Sequence, residues 1–345
     1  MTETNFKSVG IEGMAYALPP DIYSSLKLED ELAPLYQRLK LPQGRLELMT
    51  GITERRFWPA SHRPSDASAE AGRKLIARGI KKEGIDLLIH SSVCRDRLEP
   101  ATASYVHRLL GLGGNTQILD ISNACLGFVN AIILAAGMIE SGQIKRAMIV
   151  AGENGKPLVD RTIKILNQEN LSRKEIKPFF ANLTIGAGAV AWSIAHKDLL
   201  PKESPVLGSF VCETDTSYNH LCEGDSSGDE LVMQTDSEEL LHAGISVASK
   251  AWSKFMHLDN IRTLNPSLIV THQVGKVHTK AIFEALSLPL EKNYSTFENL
   301  GNCGSVSLPL TYTHACENSP ALQNEPAILL GIGSGLSSIM LSINS

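Results

Sequence analysis

The feature that most constrains this chain is an alternation of short apolar runs with longer amphipathic segments, which the sequence runs through twice. In the first pass, Ser8 to Ala17 reads as a strand ended by Pro19 and Pro20, and Ser65 to Ile80 as a helix capped near Ser65 or Asp66. Ile85 to His90 and Thr116 to Ile121 read as short strands on either side of a helix, Thr102 to Leu110. Cys125 to Ser141 follows as a long apolar helix and Arg146 to Gly152 as a strand. A polar, largely helical insertion, Lys156 to Phe180, precedes the closing strand Gly186 to Ala195.

The second pass opens with a strand, Pro205 to Thr214, and a polar loop, Asp215 to Gly228. A helix from Ser237 to Met256 is announced by Asp236-Ser-Glu-Glu. Then come a strand at Ser267 to Thr271, a helix at Val277 to Leu286, a short strand at Tyr294 to Phe297 and a helix at Gly304 to Cys316 carrying Pro309. Pro326 to Gly331 and Ser337 to Ile343 close as two strands. Both passes share one element order, so the pattern predicts an α/β fold of two duplicated halves, residues 1–200 and 201–345.

Bulk composition narrows the function classes. The 345 residues are 43% hydrophobic and 20% charged, values of an ordinary globular protein. A net charge of -5 offers no broad basic surface for nucleic acid. The segment Met1 to Lys7 lacks the apolar stretch of a secretory signal, and Ala131 to Ile139 falls short of the ~20 residues that a membrane-spanning helix needs. Six irregularly spaced cysteines are no disulfide framework, so a reducing cytoplasm is expected.

Four segments can carry chemistry. Cys125, in Asn-Ala-Cys-Leu-Gly-Phe, follows a strand and opens the apolar helix, with Ser122 or Asn123 able to cap it. Free N–H groups at such a terminus favour a thiolate and would lower its pKa. A small buried side chain is the other reading of that cysteine. His272, in Thr-His-Gln-Val, ends a buried strand, as a core histidine also can. Asn302, in Leu-Gly-Asn-Cys-Gly-Ser-Val-Ser, stands before a helix, where it can equally be a turn residue. Gly331-Ile-Gly-Ser-Gly-Leu336 lies between two strands and has no following helix, so it is not a dinucleotide fingerprint. Such a turn can bring a backbone N–H to a reacting carbonyl, or serve only as a tight connection. Cys212, His220 and Cys222 lack a second ligand pair, and Asp225 to Glu230 lacks the calcium-loop pattern; no metal site is expected.

Taken in order, these four motifs and Gly51-Ile-Thr-Glu-Arg-Arg56 resemble the ketosynthase III branch of the thiolase superfamily over nearly the whole chain. Within that branch Ser92 to Ser104, carrying Glu99, is similar to the glutamate-bearing segment of the long-chain acyl-CoA thiolases of olefin biosynthesis. The resemblance implies a thiolase fold, two βαβαβαββ halves packed in five layers, and a homodimer. It implies Cys125 as nucleophile, His272 and Asn302 as ligands of the second thioester's carbonyl, and an oxyanion hole from the N–H groups of Cys125 and Ser334. It also makes Lys276 and Arg56 substrate contacts. The substrates would be thioesters of coenzyme A or acyl carrier protein, with no cofactor.

The resemblance also departs from the branch. The priming β-ketoacyl synthases carry a tryptophan before this Thr-Gly-Ile, which helps hold coenzyme A, and Arg45 to Ile52 has none. A synthase that decarboxylates a malonyl donor needs no base to form its carbanion, whereas one that joins two acyl-CoA molecules must remove an α-proton. Glu99 is the expected base for that second chemistry. A malonyl-using synthase, an acyl transferase of secondary metabolism acting on an oxygen or nitrogen, and a non-catalytic partner subunit are the alternatives, and the intact Cys125, His272 and Asn302 set speaks against the last. A papain-like hydrolase is disfavoured because its helix-opening cysteine lies near the chain start.

Overall fold

A computed structural model describes residues 5–168, 171–227 and 230–345. Nine strands form one sheet: β1 (Val9–Ala17), β4 (Leu87–His90), β5 (Gln117–Asp120), β6 (Arg146–Asn154), β7 (Ala187–His196), β8 (Val206–Thr214), β11 (Leu268–Thr271), β12 (Ala327–Gly333) and β13 (Ser337–Asn344). Two short pairs stand apart from it, β2 (Asp21–Ser24) with β3 (Glu54–Phe57) and β9 (Cys222–Ser227) with β10 (Glu230–Thr235).

The strand order β11-β12-β13-β8-β1-β7-β6-β4-β5 reads outward from the β8–β1 junction as the same pattern in both directions. At that junction β1 and β8 pair at Gly10 and Val206, with a bond from Ile11 N–H to the Pro205 carbonyl at 2.8 Å; just before β1, Phe6 N–H donates to the Gly208 carbonyl at 3.3 Å and Asn5 bridges Ser209. Each half-sheet therefore has its own hydrogen-bonded ladder, and side chains supply most of what joins them.

Burial periodicity shows how the layers stack. Along β4, Leu87 and Ile89 enter one core while Leu88 enters another. Along β12, Ala327 and Leu329 share that first core, whereas Ile328 and Leu330 face a third. The shared core holds the helices Gly127–Glu140 and Ser307–Asn318, between the two half-sheets. The helix Pro64–Ala77 covers the outer face of the first half-sheet and Ser237–Met256 that of the second. Five layers result, with the two candidate helices in the middle one.

Most expected elements are present, and the differences have local causes. The third strand of the second half, expected at Tyr294 to Phe297, is reduced to one parallel bridge between Asn293 and Ile269; Phe297–Leu300 turns helical instead. The loop expected at 215–228 contains β9, because backbone pairing with β10 needs no apolar side chains. Ser65 is inside its helix rather than capping it. Arg63 takes the cap position, where its N–H donates to Asp66 at 3.2 Å, and Ser65 Oγ donates to Asp96 at 2.6 Å. The insertion forms a helix, Lys156–Leu166, then short turns from Arg173 to Thr184.

Candidate active site

Cys125 sits in a tight turn two residues before its helix. Leu126 N–H donates to the Asn123 carbonyl at 2.9 Å, which forces Ala124 to φ 45°, a left-handed conformation that costs a non-glycine residue about 1–3 kcal/mol. Helical geometry begins at Gly127, not at Cys125. Neither Ser122 nor Asn123 caps it, and Asn123 Nδ2 instead donates to Asn130 Oδ1 at 2.9 Å. Gly127 is required, since a Cβ there would stand 2.5 Å from the buried Ser91 Oγ at the end of β4.

The expected lowering of the thiol pKa is overturned. Burial pushes Cys125 up to about 12, and the Glu153 carboxylate and Cys222 thiol add to the rise. The helix terminus does not counter this because its donors are occupied. Phe128 N–H goes to Ser305 Oγ at 3.0 Å, and the Leu126 and Gly127 N–H groups close the turn.

The turn between β12 and β13 lies against the same spot. Cβ atoms at Gly331 and Gly333 would meet the Leu126 side chain at 2.5 and 2.9 Å, so only glycine lets the two backbones approach. Ser334 opens this turn, its N–H makes no backbone hydrogen bond among the described residues, and Leu336 closes it at φ 28°. His272 follows β11 and is tied to that hairpin, its N–H donating to the Leu330 carbonyl at 3.1 Å. The residue is 7% exposed, and among the described residues neither Nδ1 nor Nε2 has a hydrogen-bond partner. Burial, with His278 nearby, lowers it to about 4, so at neutral pH it is an uncharged imidazole.

Asn302 is pinned through its backbone to the first half: its N–H donates to the Thr184 carbonyl at 2.8 Å, and its own carbonyl accepts from Gly186 N–H at 2.9 Å. Its Oδ1 accepts from Gly304 N–H at 2.9 Å, which leaves Nδ2 as the free donor. A Cβ at Gly186 would lie 2.0 Å from the Leu300 carbonyl, so this close crossing also needs glycine. The chemistry available is a half-buried thiol, two backbone N–H groups near it, a neutral imidazole and an amide donor.

The remaining expected residues stand elsewhere. Glu99 is exposed on the loop after β4, with no hydrogen bond or ion pair to another described residue, next to Leu98, which is 94% exposed. Lys276 pairs with Glu298 at 2.9 Å and lays its stem along Gly51. Arg56 donates to the Pro19 carbonyl at 3.2 Å. Two clefts, about 260 Å3 lined by Lys177, Leu221 and Asp236, and about 470 Å3 lined by Glu29, Tyr36 and Gln43, touch none of Cys125, His272 and Asn302. Among the described residues no cluster of histidine, cysteine or acidic side chains could hold a metal ion, and no helix is long and apolar enough to cross a membrane.

Residues 119–199 match the 3-oxoacyl-(acyl-carrier-protein) synthase III family, and residues 257–343 match its C-terminal family. An acyl-CoA:acyl-CoA alkyltransferase from Shewanella oneidensis is 38% identical over 98% of this chain and 99% of its own length. The chain belongs to the ketosynthase III branch of the thiolase superfamily.

Within the branch, the acyl-CoA:acyl-CoA alkyltransferase from Xanthomonas campestris is 34% identical, with coverage of 98% and 99%. A β-ketoacyl-(acyl-carrier-protein) synthase III from Aliarcobacter butzleri is 27% identical, with coverage of 96% and 94%. A cerulenin-bound crystal structure of OleA from Xanthomonas campestris superposes with a TM-score of 0.92 at 33% identity, covering 99% of this chain and 98% of that one. The fold is the thiolase fold.

Three residues of the site were not anticipated. Gln273 is buried beside His272, accepting from Ser295 Oγ at 2.8 Å and Thr296 N–H at 3.1 Å. Ser305 accepts from Phe128, as above. Glu153 ends β6 as a buried carboxylate with three backbone donors. The one signal for Glu153 was a charged residue ending an otherwise apolar run, Ala147 to Gly152.

Proposed function

We propose that this protein is an acyltransferase that joins two fatty acyl-CoA molecules by non-decarboxylative Claisen condensation. The observation that carries the reading is His272, a buried neutral imidazole with both ring nitrogens unpartnered, held by the same hairpin that lies against Leu126. A preorganised neutral donor of this kind suits a thioester oxygen on which negative charge develops. The names of the two alkyltransferase relatives support the substrate class.

In the first half-reaction Cys125 Sγ attacks the acyl-CoA carbonyl, the bond to the coenzyme A sulfur breaks, and coenzyme A leaves with the thiol proton. The N–H groups of Cys125 and Ser334 receive the oxyanion. In the second, a ring N–H of His272 and Nδ2 of Asn302 hold the carbonyl oxygen of another acyl-CoA while Glu99 removes its α-proton. The carbanion attacks the acyl-enzyme carbonyl, the bond to Cys125 Sγ breaks, the proton held by Glu99 returns to the Cys125 thiolate, and a β-ketoacyl-CoA leaves.

Glu99 serves the partner subunit's site in this reading, in a cytoplasmic homodimer. Its support is the sheet border: β5 is the outermost strand, Ile118 on it is exposed, and Leu98 and Glu99 stand exposed on the preceding loop. An apolar-bordered edge strand calls for a cover, and a second copy of that strand provides one. We read the chain as halves 1–200 and 201–345, with the insertion 156–180 capping the acyl chain and Lys276 and Arg56 at the coenzyme A end.

The test is incubation with myristoyl-CoA alone, then with malonyl-CoA added, following thiol release and product mass. A doubled-chain β-keto product from myristoyl-CoA alone is the expected result. A product that forms only with malonyl-CoA would replace this reading with the decarboxylative one.

A further inference from the structure

Glu153 is 3% exposed, burial pushes its carboxyl upward against the hydrogen bonds that lower it, and among the described residues no cation faces it. Its Oε1 accepts from Val93 N–H at 2.8 Å and Ser305 N–H at 3.1 Å, and its Oε2 accepts from Cys94 N–H at 3.0 Å. The three donors belong to two different parts of the site. Val93 and Cys94 open the loop that carries Glu99. Ser305 follows Gly304, whose N–H fixes Asn302 Oδ1, and Ser305 Oγ holds the first turn of the helix behind Cys125. A Cβ on Gly304 would stand 2.9 Å from Glu153 Oε1, so the Asn302 loop is packed directly on this carboxylate.

We propose that Glu153 is a positioning residue for the second half-reaction, its carboxylate fixing the Glu99 loop and the Asn302 loop relative to the Cys125 helix. The inference rests on the roles given above to Glu99 and Asn302. Its hydrogen-bonding partners at close range are three backbone N–H groups and the Cys94 thiol, all of them donors, which matches a carboxylate acceptor. The titratable groups around it are the thiols of Cys94, Cys125 and Cys303, and its charge pushes all three upward. A side chain that only filled space would leave those thiols alone. This one is coupled electrically to the nucleophile, and that coupling provides a second readout.

In Glu153→Gln the amide nitrogen confronts a backbone N–H that has lost its acceptor, so one loop must shift. A displacement near 1 Å costs on the order of 10²-fold in rate. The expected result is acylation of Cys125 by myristoyl-CoA within about threefold of wild type, and kcat for condensation reduced by about 10-fold to 10²-fold with KM nearly unchanged. The pH profile for iodoacetamide alkylation of Cys125, read between pH 7 and 10, moves to lower pH because one neighbouring negative charge is gone. Glu153→Asp keeps the charge but withdraws it, so it retains the wild-type alkylation profile and loses part of the condensation rate. Wild-type condensation by either folded variant would overturn the proposal, as would equal loss of acylation and condensation with an unmoved profile. Should Glu153→Gln not fold, by circular dichroism, Glu153→Asp decides alone through its condensation rate. Failure of the parent reading looks different: wild type itself would not condense two acyl-CoA molecules, while acylation and alkylation would still report on Glu153.

Discussion

The amide of Phe128 donates to the hydroxyl of Ser305 across a 3.0 Å hydrogen bond that spans 177 residues of sequence. One end belongs to the helix behind Cys125 and the other to the loop that presents Asn302. The bond ties the nucleophile to the enolate-binding amide, and it removes a helix-terminal donor that would otherwise favour a thiolate.

A thiol held at about 12 should behave as one. Iodoacetamide alkylation of ligand-free Cys125 is expected to be slow at pH 7 and to rise about tenfold per pH unit through pH 9, without a plateau. Cys125→Ala should show no acyl adduct by mass spectrometry and no condensation. An alkylation plateau near neutrality would show that the helix terminus outweighs burial.

His272→Ala should acylate Cys125 and fail to condense, with kcat lowered by about 10²-fold to 10³-fold, the usual effect of removing one oxyanion donor. Single-turnover acylation with labelled myristoyl-CoA separates the two steps. Acylation lost as completely as condensation would contradict this division of roles.

Glu99→Gln should keep acylation and lose condensation by about 10²-fold, and Glu99→Asp should fall between. Mixing the inactive variants Glu99→Gln and Cys125→Ala tests where the base acts. A mixed dimer joins an intact Cys125 to Glu99 of the partner subunit and regains activity. If the base acts within its own chain, the mixture stays inactive.

The dimer reading makes β5 the target. Ile118→Pro removes a backbone donor from the edge strand, and sedimentation should then report a monomer. That monomer should still acylate Cys125, whose turn and helix come from one chain, and should not condense.

Stability should fall in mild acid. Burial holds His90 and His272 near 4, below the ordinary 6.5. Between those values the unfolded chain binds protons that the folded chain refuses, so the contribution is complete above pH 6.5 and is lost as pH drops toward 4. Each histidine accounts for roughly 2–3 kcal/mol over that range. Urea titrations from pH 7 to 4.5 should show the fall, and His272→Ala should flatten it by one residue's share.

How much of this was legible in the sequence depended on how far each cause lay along the chain. Thr102–Leu110 and Ser237–Met256 match their expected bounds because local signals set them; Asp236, for example, accepts from Glu239 N–H at 3.1 Å. The strand expected at Tyr294 is absent because Tyr-Ser-Thr-Phe, two aromatics around two hydroxyl residues, suits a strand and a turn equally. Cys125, His272 and Asn302 were readable as residue types in motifs, but the state of the thiol was not, since it depends on burial in the assembled fold and on the Glu153 carboxylate. Glu153 was unreadable for the same reason: its donors lie 60, 59 and 152 residues away.

The sparse backbone pairing between β1 and β8 has a consequence for how this protein tolerates change. The halves are joined chiefly through the layer holding Gly127–Glu140 and Ser307–Asn318, and those helices also aim Cys125 and anchor the Asn302 loop. Cohesion and aim are thus one set of contacts. A substitution such as Leu310→Ala in that layer cannot weaken the join without also misaligning the reaction. Turnover is therefore the more sensitive gauge of damage there, declining by more than the lowered melting temperature alone would account for.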